Sequence, residues 1–465
     1  MNIPDLINGL MQANQIPFDI IAPEHVKKTF ANNDSNCRSV IARAVLLKDS
    51  IGNLLVIIPS NCLLDLSLLC ETWGRNFQAV TGQSFKHICN QINLTNVPAL
   101  PQLLNWPTLV DKQLCQYSDI YLDVGNNQDF IKIDQGNYKR LLGEALFAQL
   151  SIPITTLKAK MVTPQSDQTQ ITNAVHSFTS IRIKQRLEET IEFPPLPQTA
   201  QRILQLRMDP DANLSDLTQI VEADPSLAAQ VVSWASSPYY AAPGEIKSVH
   251  DAIVRVLGYD LVVNLALGLS LGKSFKLPKD GLRGFTPYWH QAAFCASLVE
   301  TLVKAMPNHV RPEIGLAYLA GLLHNFGYLI LAHIFPQLFS LICRYIESNI
   351  HVNHTLIEYH LIGICREQIG SWLMQLWNLP QEVCIALRHQ HDPDYDQEHC
   401  QYANLIHLAL HLLNNHNAPN QLEDDHIHQV YQRLQLEPSL ADQALQTVLA
   451  AKSELQTIAC FMDRP

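Results

Sequence analysis

The chain has 465 residues, 47% of them hydrophobic and 16% charged, enough for more than one globular core. Its formal net charge is -11 and no basic run stands out. Charge therefore gives no support to nonspecific binding of duplex nucleic acid, which needs a basic face. The 11 cysteines are odd in number, scattered, and form no CxxC pair; thiols among apolar neighbours point to a reducing compartment, the cytoplasm.

The first residues, MNIPDLINGLMQ, carry an acid and no basic start, unlike a secretory leader. Residues 1–155 mix short apolar runs with turn signals. AVLLKD and LLVIIPS read as two strands around Ser50–Asn53, and IYLDV and FIKID as two more around Gly125–Gln128. Between them CLLDLSLLCETWG has helical spacing and stops at Gly74. The first 155 residues are thus predicted to be α+β.

Residues 159–180 are rich in Ser, Thr and Gln and read as part of a linker over 156–185. Residues 186–465 show helical periodicity with no strand pairs. Asp224–Pro225 and Leu379–Pro380 open helices, and Gly258 interrupts one. The stretch from Ile314 to Ala332 has no charge and could span a bilayer by length. A His324–Asn325 pair at its middle would be costly in lipid, so a buried core helix is expected and no membrane partner. Tyr239, Tyr240 and Trp289 are expected in the core or at an interface, and Glu423–Asp425 at an exposed helix start.

From Glu192 on, EFPPLPQTAQRILQL, LTQIVEADPSLAAQVVSWASSPYY, IKSVHDAIVRVLGYDLVVNLAL, LAYLAGLLHNFGYLILA and IGSWLMQLWNLPQEVCIALRHQHDP follow one another in an order that resembles the HDOD (HD-related output domain) family. Catalytic HD domains hold divalent metals with imidazoles, a His–Asp pair and a later Asp, because carboxylates supply charge and hard oxygen ligands. On that resemblance the central pair here is His324–Asn325. The late aspartate falls near Leu410, the first histidine at Gln291 or His290, and Cys365 stands where many relatives keep a histidine. The remaining pocket is His290, Gln291, His324, Asn325, His389, Gln390 and His391, imidazoles and amides without carboxylates. Three readings stay open: hydrogen-bonding remnants in a helical core, a pocket that holds a nucleotide or other small ligand without turnover, and a metal site rebuilt from other residues. His389 and His391 could converge on a metal only if their helix ends there, as Asp392–Pro393 suggests. His407 and His411 share a helix face at metal spacing but lack an acidic companion; with His426 and His428 they read as core or surface fillers.

Residues 1–155 also resemble the YbaK/prolyl-tRNA-synthetase-associated editing domain, through IARAVLLKDSIGNLLVIIPSNCLLDLSLL and DIYLDVGNNQDFIKIDQGNYKRLL. The resemblance implies a pocket made by a strand lysine and a glycine-rich loop. Here those positions carry Arg43 and, in NVPALPQ, Val97 and Pro98. Arginine keeps the charge but not the compact ammonium, and valine bars the close backbone approach that glycine allows. The expectation is a non-catalytic signalling protein with no cofactor: an HDOD output module that meets a protein partner, joined to a ligand- or partner-binding α+β module. The alternatives are aminoacyl-tRNA deacylation, with tRNA as partner, and metal-dependent phosphohydrolysis in the helical half.

Overall fold

Strand β2 (Ser39–Lys48) turns at Asp49–Gly52 into β3 (Asn53–Pro59), antiparallel in register from Ala42 opposite Pro59 to Lys48 opposite Asn53. Asp49 closes the turn by accepting from the Ile51 and Gly52 amides, at 2.8 and 2.9 Å, the local bonding that makes Asp a turn residue. The structure, a computed structural model, describes residues 3–23, 25–26, 29, 38–126, 129–161, 166–184, 194–240, 244–275, 278, 281–283, 286–417 and 426–462. The Glu423–Asp425 patch lies outside the described residues.

Around that hairpin stand β1 (Asp19–Ile21), β4 (Cys62–Leu64), β5 (Gln78–Ala79), β6 (Thr108–Asp111), β7 (Asp119–Asp123), β8 (Phe130–Asp134), β9 (Leu146–Ala148) and β10 (Ser151–Pro153). The main sheet runs β1-β8-β7-β2-β3-β6-β9, with β5 beside β2; β4 and β10 form a separate pair. Strands β7 and β8 are the second predicted hairpin. The sheet is mixed: β2 and β7, β3 and β6, and β6 and β9 are parallel. Residues 54–59 of β3 are buried without alternation, as happens when both faces of a sheet are covered. One face packs on Ile7 and Met11 of helix Asp5–Ala13 and on Tyr138, Leu141 and Leu142 of helix Gln135–Leu142. Helix Leu66–Trp73 is capped by the Asp65 carboxylate and ends at Gly74 in the left-handed conformation, φ 64°.

The chain divides into two compact units. The first is 1–164 together with 280–285 and 337–361; the second is 165–279, 286–336 and 362–465. Most of helix Pro336–Ser348 and of helix His354–Ile362 thus belongs with the mixed sheet, although residues on either side of them belong with the helices. Nothing in the texture of the sequence signals this excursion. It is secured by polar contacts. Asn349 is fully buried; its Oδ1 accepts from the Leu64 amide at 2.7 Å, and its Nδ2 donates to the Leu64 and Tyr345 carbonyls at 3.0 Å each. The Tyr345 hydroxyl donates to Asp65 Oδ1 at 2.6 Å and accepts from the Ser67 amide at 3.0 Å.

The second unit is helical throughout its described residues. Its most buried members are Tyr259–Gly272, Tyr288–Ala305, Ile314–Leu323 and Phe326–Ile334. One helical stretch among the described residues, Ile314–Ile334, is long and apolar enough to cross a membrane, and 89% of it is buried. Asp224 caps helix Pro225–Ala235 as expected. Part of the Ser-, Thr- and Gln-rich segment read as a linker forms helix Asp167–Lys184. Asp167 at its start pairs with Arg388 at 2.5 and 3.0 Å and accepts from Gln368 at 2.8 Å.

Replacing Asn349 by Ala leaves the Leu64 peptide group unpaired and buried, so the variant is expected to lose about 2–4 kcal/mol. Denaturant melts of the full chain, with hydrogen exchange at Leu64, will measure it; unchanged exchange there contradicts the assigned role.

Candidate functional site

The break between helices Ile314–Leu323 and Phe326–Ile334 puts His324 and Asn325 at a bend in the most buried part of the helical unit. His324 Nδ1 donates to the Gly321 carbonyl at 2.8 Å. Asn325 Nδ2 donates to Gln291 Oε1 at 3.4 Å, a long contact, while Asn325 Oδ1 accepts from Arg366 Nη1 at 3.0 Å. Gln291, rather than His290, therefore faces the central pair. His290 is on the same helix with its Nε2 3.8 Å from Cys460 Sγ.

Two helices must cross very closely for Arg366 to reach Asn325. A methyl group on Gly327 would lie 1.9 Å from the Arg366 carbonyl oxygen, and one on Gly370 would lie 3.2 Å from the Gly327 nitrogen. Glycine at 327 is thus required by the approach of helix Arg366–Leu376. The Arg366 guanidinium is buried, and its central carbon lies 5.2 Å from the centre of the Tyr328 ring, a favourable cation–π geometry. Arg366 is the residue of this cluster that sequence reasoning missed. Its only signal was its place in the GICREQIG segment beside Cys365.

The remaining candidates separate. Gln390 is buried and donates to the His324 carbonyl at 2.7 Å; its own carbonyl accepts from His407 Nδ1 at 3.0 Å. His407 is thereby tied to the site through the backbone. Helix Gln381–His389 does end at His389, yet the two imidazoles diverge. His389 stacks on Tyr395 with centroids 3.9 Å apart and lies 3.6 Å from Asp392, while His391 is 3.5 Å from Glu367. Burial first, then the charge of Arg388, holds the His389 pKa below its ordinary value against the pull of Asp392. On helix Cys400–Asn417 the fully buried polar residue is Asn404, an amide one turn before His407.

His324, Asn325, Gln291 and Gln390 thus come together, with the Arg366 guanidinium bonded to Asn325. A divalent cation wants anionic oxygens. Here the groups bonded to the central pair are amides and a fixed positive charge, which repels a second cation. The arrangement is suited to hydrogen bonding and ill suited to activating water on a metal. Tyr239, Tyr240 and Trp289 are structural: Tyr240 donates to the buried Glu300 at 3.0 Å, Tyr239 contacts Thr301 at 2.9 Å, and Trp289 is buried.

In the amino-terminal unit, Arg43 lies on β2 and Val97 and Pro98 lie on the loop after helix Gly82–Gln91. Val97 is 4% exposed and packs in the core below the sheet. The loop is held by Thr95 and Asn96 amides donating to the Gly125 carbonyl at 2.8 and 3.2 Å, and Asn96 Nδ2 donates to Asp123 at 2.8 Å. It is a packed loop rather than a backbone cradle. His351, on the inserted segment, has Nε2 2.9 Å from the Cys62 carbonyl, to which it donates. Burial and then the charge of Arg43 depress its pKa to about 3, against the raising effect of that bond.

The HDOD domain matches residues 193–393. A crystal structure of a "Putative signal transduction protein" from Marinobacter aquaeolei VT8 is 38% identical, with 100% of each chain covered and a TM-score of 0.87. An "Uncharacterized protein" of Treponema pallidum (strain Nichols) is 24% identical over 236 residues, 50% of this chain; the match spans only 43% of that protein's length. The amino-terminal region has a distant match to the crystal structure of "a putative trans-editing enzyme for prolyl tRNA synthetase", 15% identical over 31% of this chain and 94% of that one, with a TM-score of 0.25. The chain belongs to the HDOD family and shares its full length with the Marinobacter protein.

Two outcomes follow from the geometry. Gly327→Ala forces the crossing helices apart and is expected to destabilise the chain by about 1–3 kcal/mol, read as a lower denaturant midpoint; an unchanged midpoint refutes the close crossing. For His351, the unfolded imidazole titrates near 6.5 and the folded one near 3. Between those values the unfolded chain binds more protons. Stability complete above pH 6.5 is therefore lost as pH falls toward 3. Melts from pH 7 to pH 3 should show a shallower acid slope for His351→Gln than for the parent.

Proposed function

We propose that this HDOD protein is a non-catalytic signal-transduction protein of the cytoplasm. Its helical unit acts as an output module that docks on a protein partner, and its amino-terminal unit binds a ligand or partner. One observation carries the reading: where an HD hydrolase would gather carboxylates around a dication, this chain bonds Asn325 to Gln291 and to the buried Arg366 guanidinium. The side chains seen bonded to Asn325 are an amide and a cation, neither of which ligates a dication or serves as a general base. An HDOD domain and full-length likeness to a "Putative signal transduction protein" fit a regulatory role.

Purified protein, prepared without chelator, is expected to hold no stoichiometric manganese, iron or zinc. It should turn over neither cyclic dinucleotides nor nucleoside triphosphates when manganese is added. Metal-dependent hydrolysis abolished by His324→Ala would sink the reading. Hydrolysis of mischarged tRNA abolished by Arg43→Ala would transfer the function to the amino-terminal unit as an enzyme. For the output role, crosslinking in the native host should capture a protein partner with the full chain, and substitutions on the surface of the helical unit should release it.

A further inference from the structure

The amino-terminal unit contains a cation that, among the described residues, has no hydrogen-bond acceptor. Arg43 sits in the middle of β2, and its Nε is sealed from solvent without a hydrogen-bond partner. Among the described residues the guanidinium makes no hydrogen bond and no ion pair. The residue as a whole is part-buried, and Nε alone of its three nitrogens is fully sealed. A buried guanidinium with unmet donors is costly, and the cost ends when a planar oxyanion takes its fork.

The surroundings narrow the choice of anion. Strands β2 and β7 are parallel, with Ala42 beside Leu122. One step further, Arg43 and Asp123 are side by side on the same face of the sheet. Asp123 is not bonded to Arg43: its Oδ2 accepts from Asn96 at 2.8 Å and its Oδ1 from the Gly125 amide at 2.7 Å. It stays as a fixed negative charge beside the fork. Arg43 and Asp123 together are already near neutral, so every charge on an incoming anion is opposed; a single carboxylate adds one negative charge and a multiply charged phosphate more, which makes the carboxylate the less opposed of the two. His351 on the inserted segment is close enough to feel the charge of Arg43 and stays neutral, so it adds no second cation.

We propose that Arg43 anchors a site for a small monocarboxylate ligand, taking the carboxylate in a two-point hydrogen bond on the sheet face beside Asp123. The site rests on reading the amino-terminal unit as a binding module and names the ligand class. The lysine of the resembling editing domains is here replaced by a group whose planar fork matches a carboxylate.

The test uses the full chain, with acetate as the carboxylate probe and inorganic phosphate and chloride at equal ionic strength as comparators. Acetate is expected to raise the unfolding midpoint above both comparators. Calorimetry should show Arg43→Lys weakening acetate binding at least tenfold, and Arg43→Met abolishing it. Without ligand, Arg43→Met should unfold at a higher temperature than the parent, because it removes an unpaired buried cation. The proposal is overturned if acetate stabilises no more than chloride, if phosphate binds better, or if Arg43→Lys binds acetate as well as the parent. A lower midpoint for ligand-free Arg43→Met also overturns it, since Arg43 would then be a structural partner. Failure here leaves partner capture by the helical unit, measured separately, untouched.

Discussion

The contact between Arg366 and Asn325 sets the chemistry at the centre of the helical unit. It depends on a crossing so tight that Gly327 has no room for a methyl group beside the Arg366 carbonyl. Close packing, not surface charge, delivers the guanidinium to the centre of the site. Once there it is held by Asn325 and by the face of Tyr328. A neutral asparagine accepts this neighbour with one hydrogen bond. The same position occupied by a metal-ligating aspartate would form an ion pair with it instead of offering its oxygens to a dication. A neutral residue at 325 and a buried arginine at 366 are thus chemically matched to each other.

The amino-terminal unit shows a related economy. Arg43 keeps a positive charge on the strand, while Val97 fills the core where an open glycine loop would be needed to receive an aminoacyl group. The sheet face that carries Arg43 and Asp123 retains charge without a catalytic loop. Residues 337–361 complete this unit, so it is not assembled from the first 164 residues alone. Burial of His351 as the neutral imidazole makes this unit's stability sensitive to acid.

Much of this was legible in the sequence. Both hairpins, the Gly74 stop and the Asp224 cap follow from local rules, because turn chemistry and capping are decided by neighbours in the chain. The buried fate of the Ile314–Ile334 stretch followed from the polar pair at its centre. The site was half legible: His324–Asn325 and Gln291 meet, but His290, His389 and His391 turn elsewhere. Which way a helical side chain points depends on packing that a single sequence does not display. Arg366 and Asn349 were unreadable for the same reason, since each gains its role from a residue distant in the chain.

Asn349 has a consequence for the fate of the chain as well as its fold. Strand β4 pairs with β10 on one side only. The Leu64 peptide on its open side is occupied by a primary amide that gives and takes one hydrogen bond, as a neighbouring strand would. An exposed strand margin is a template on which a second molecule can add its own extended segment. By occupying both polar groups of Leu64, Asn349 leaves neither of them open to a second molecule's backbone.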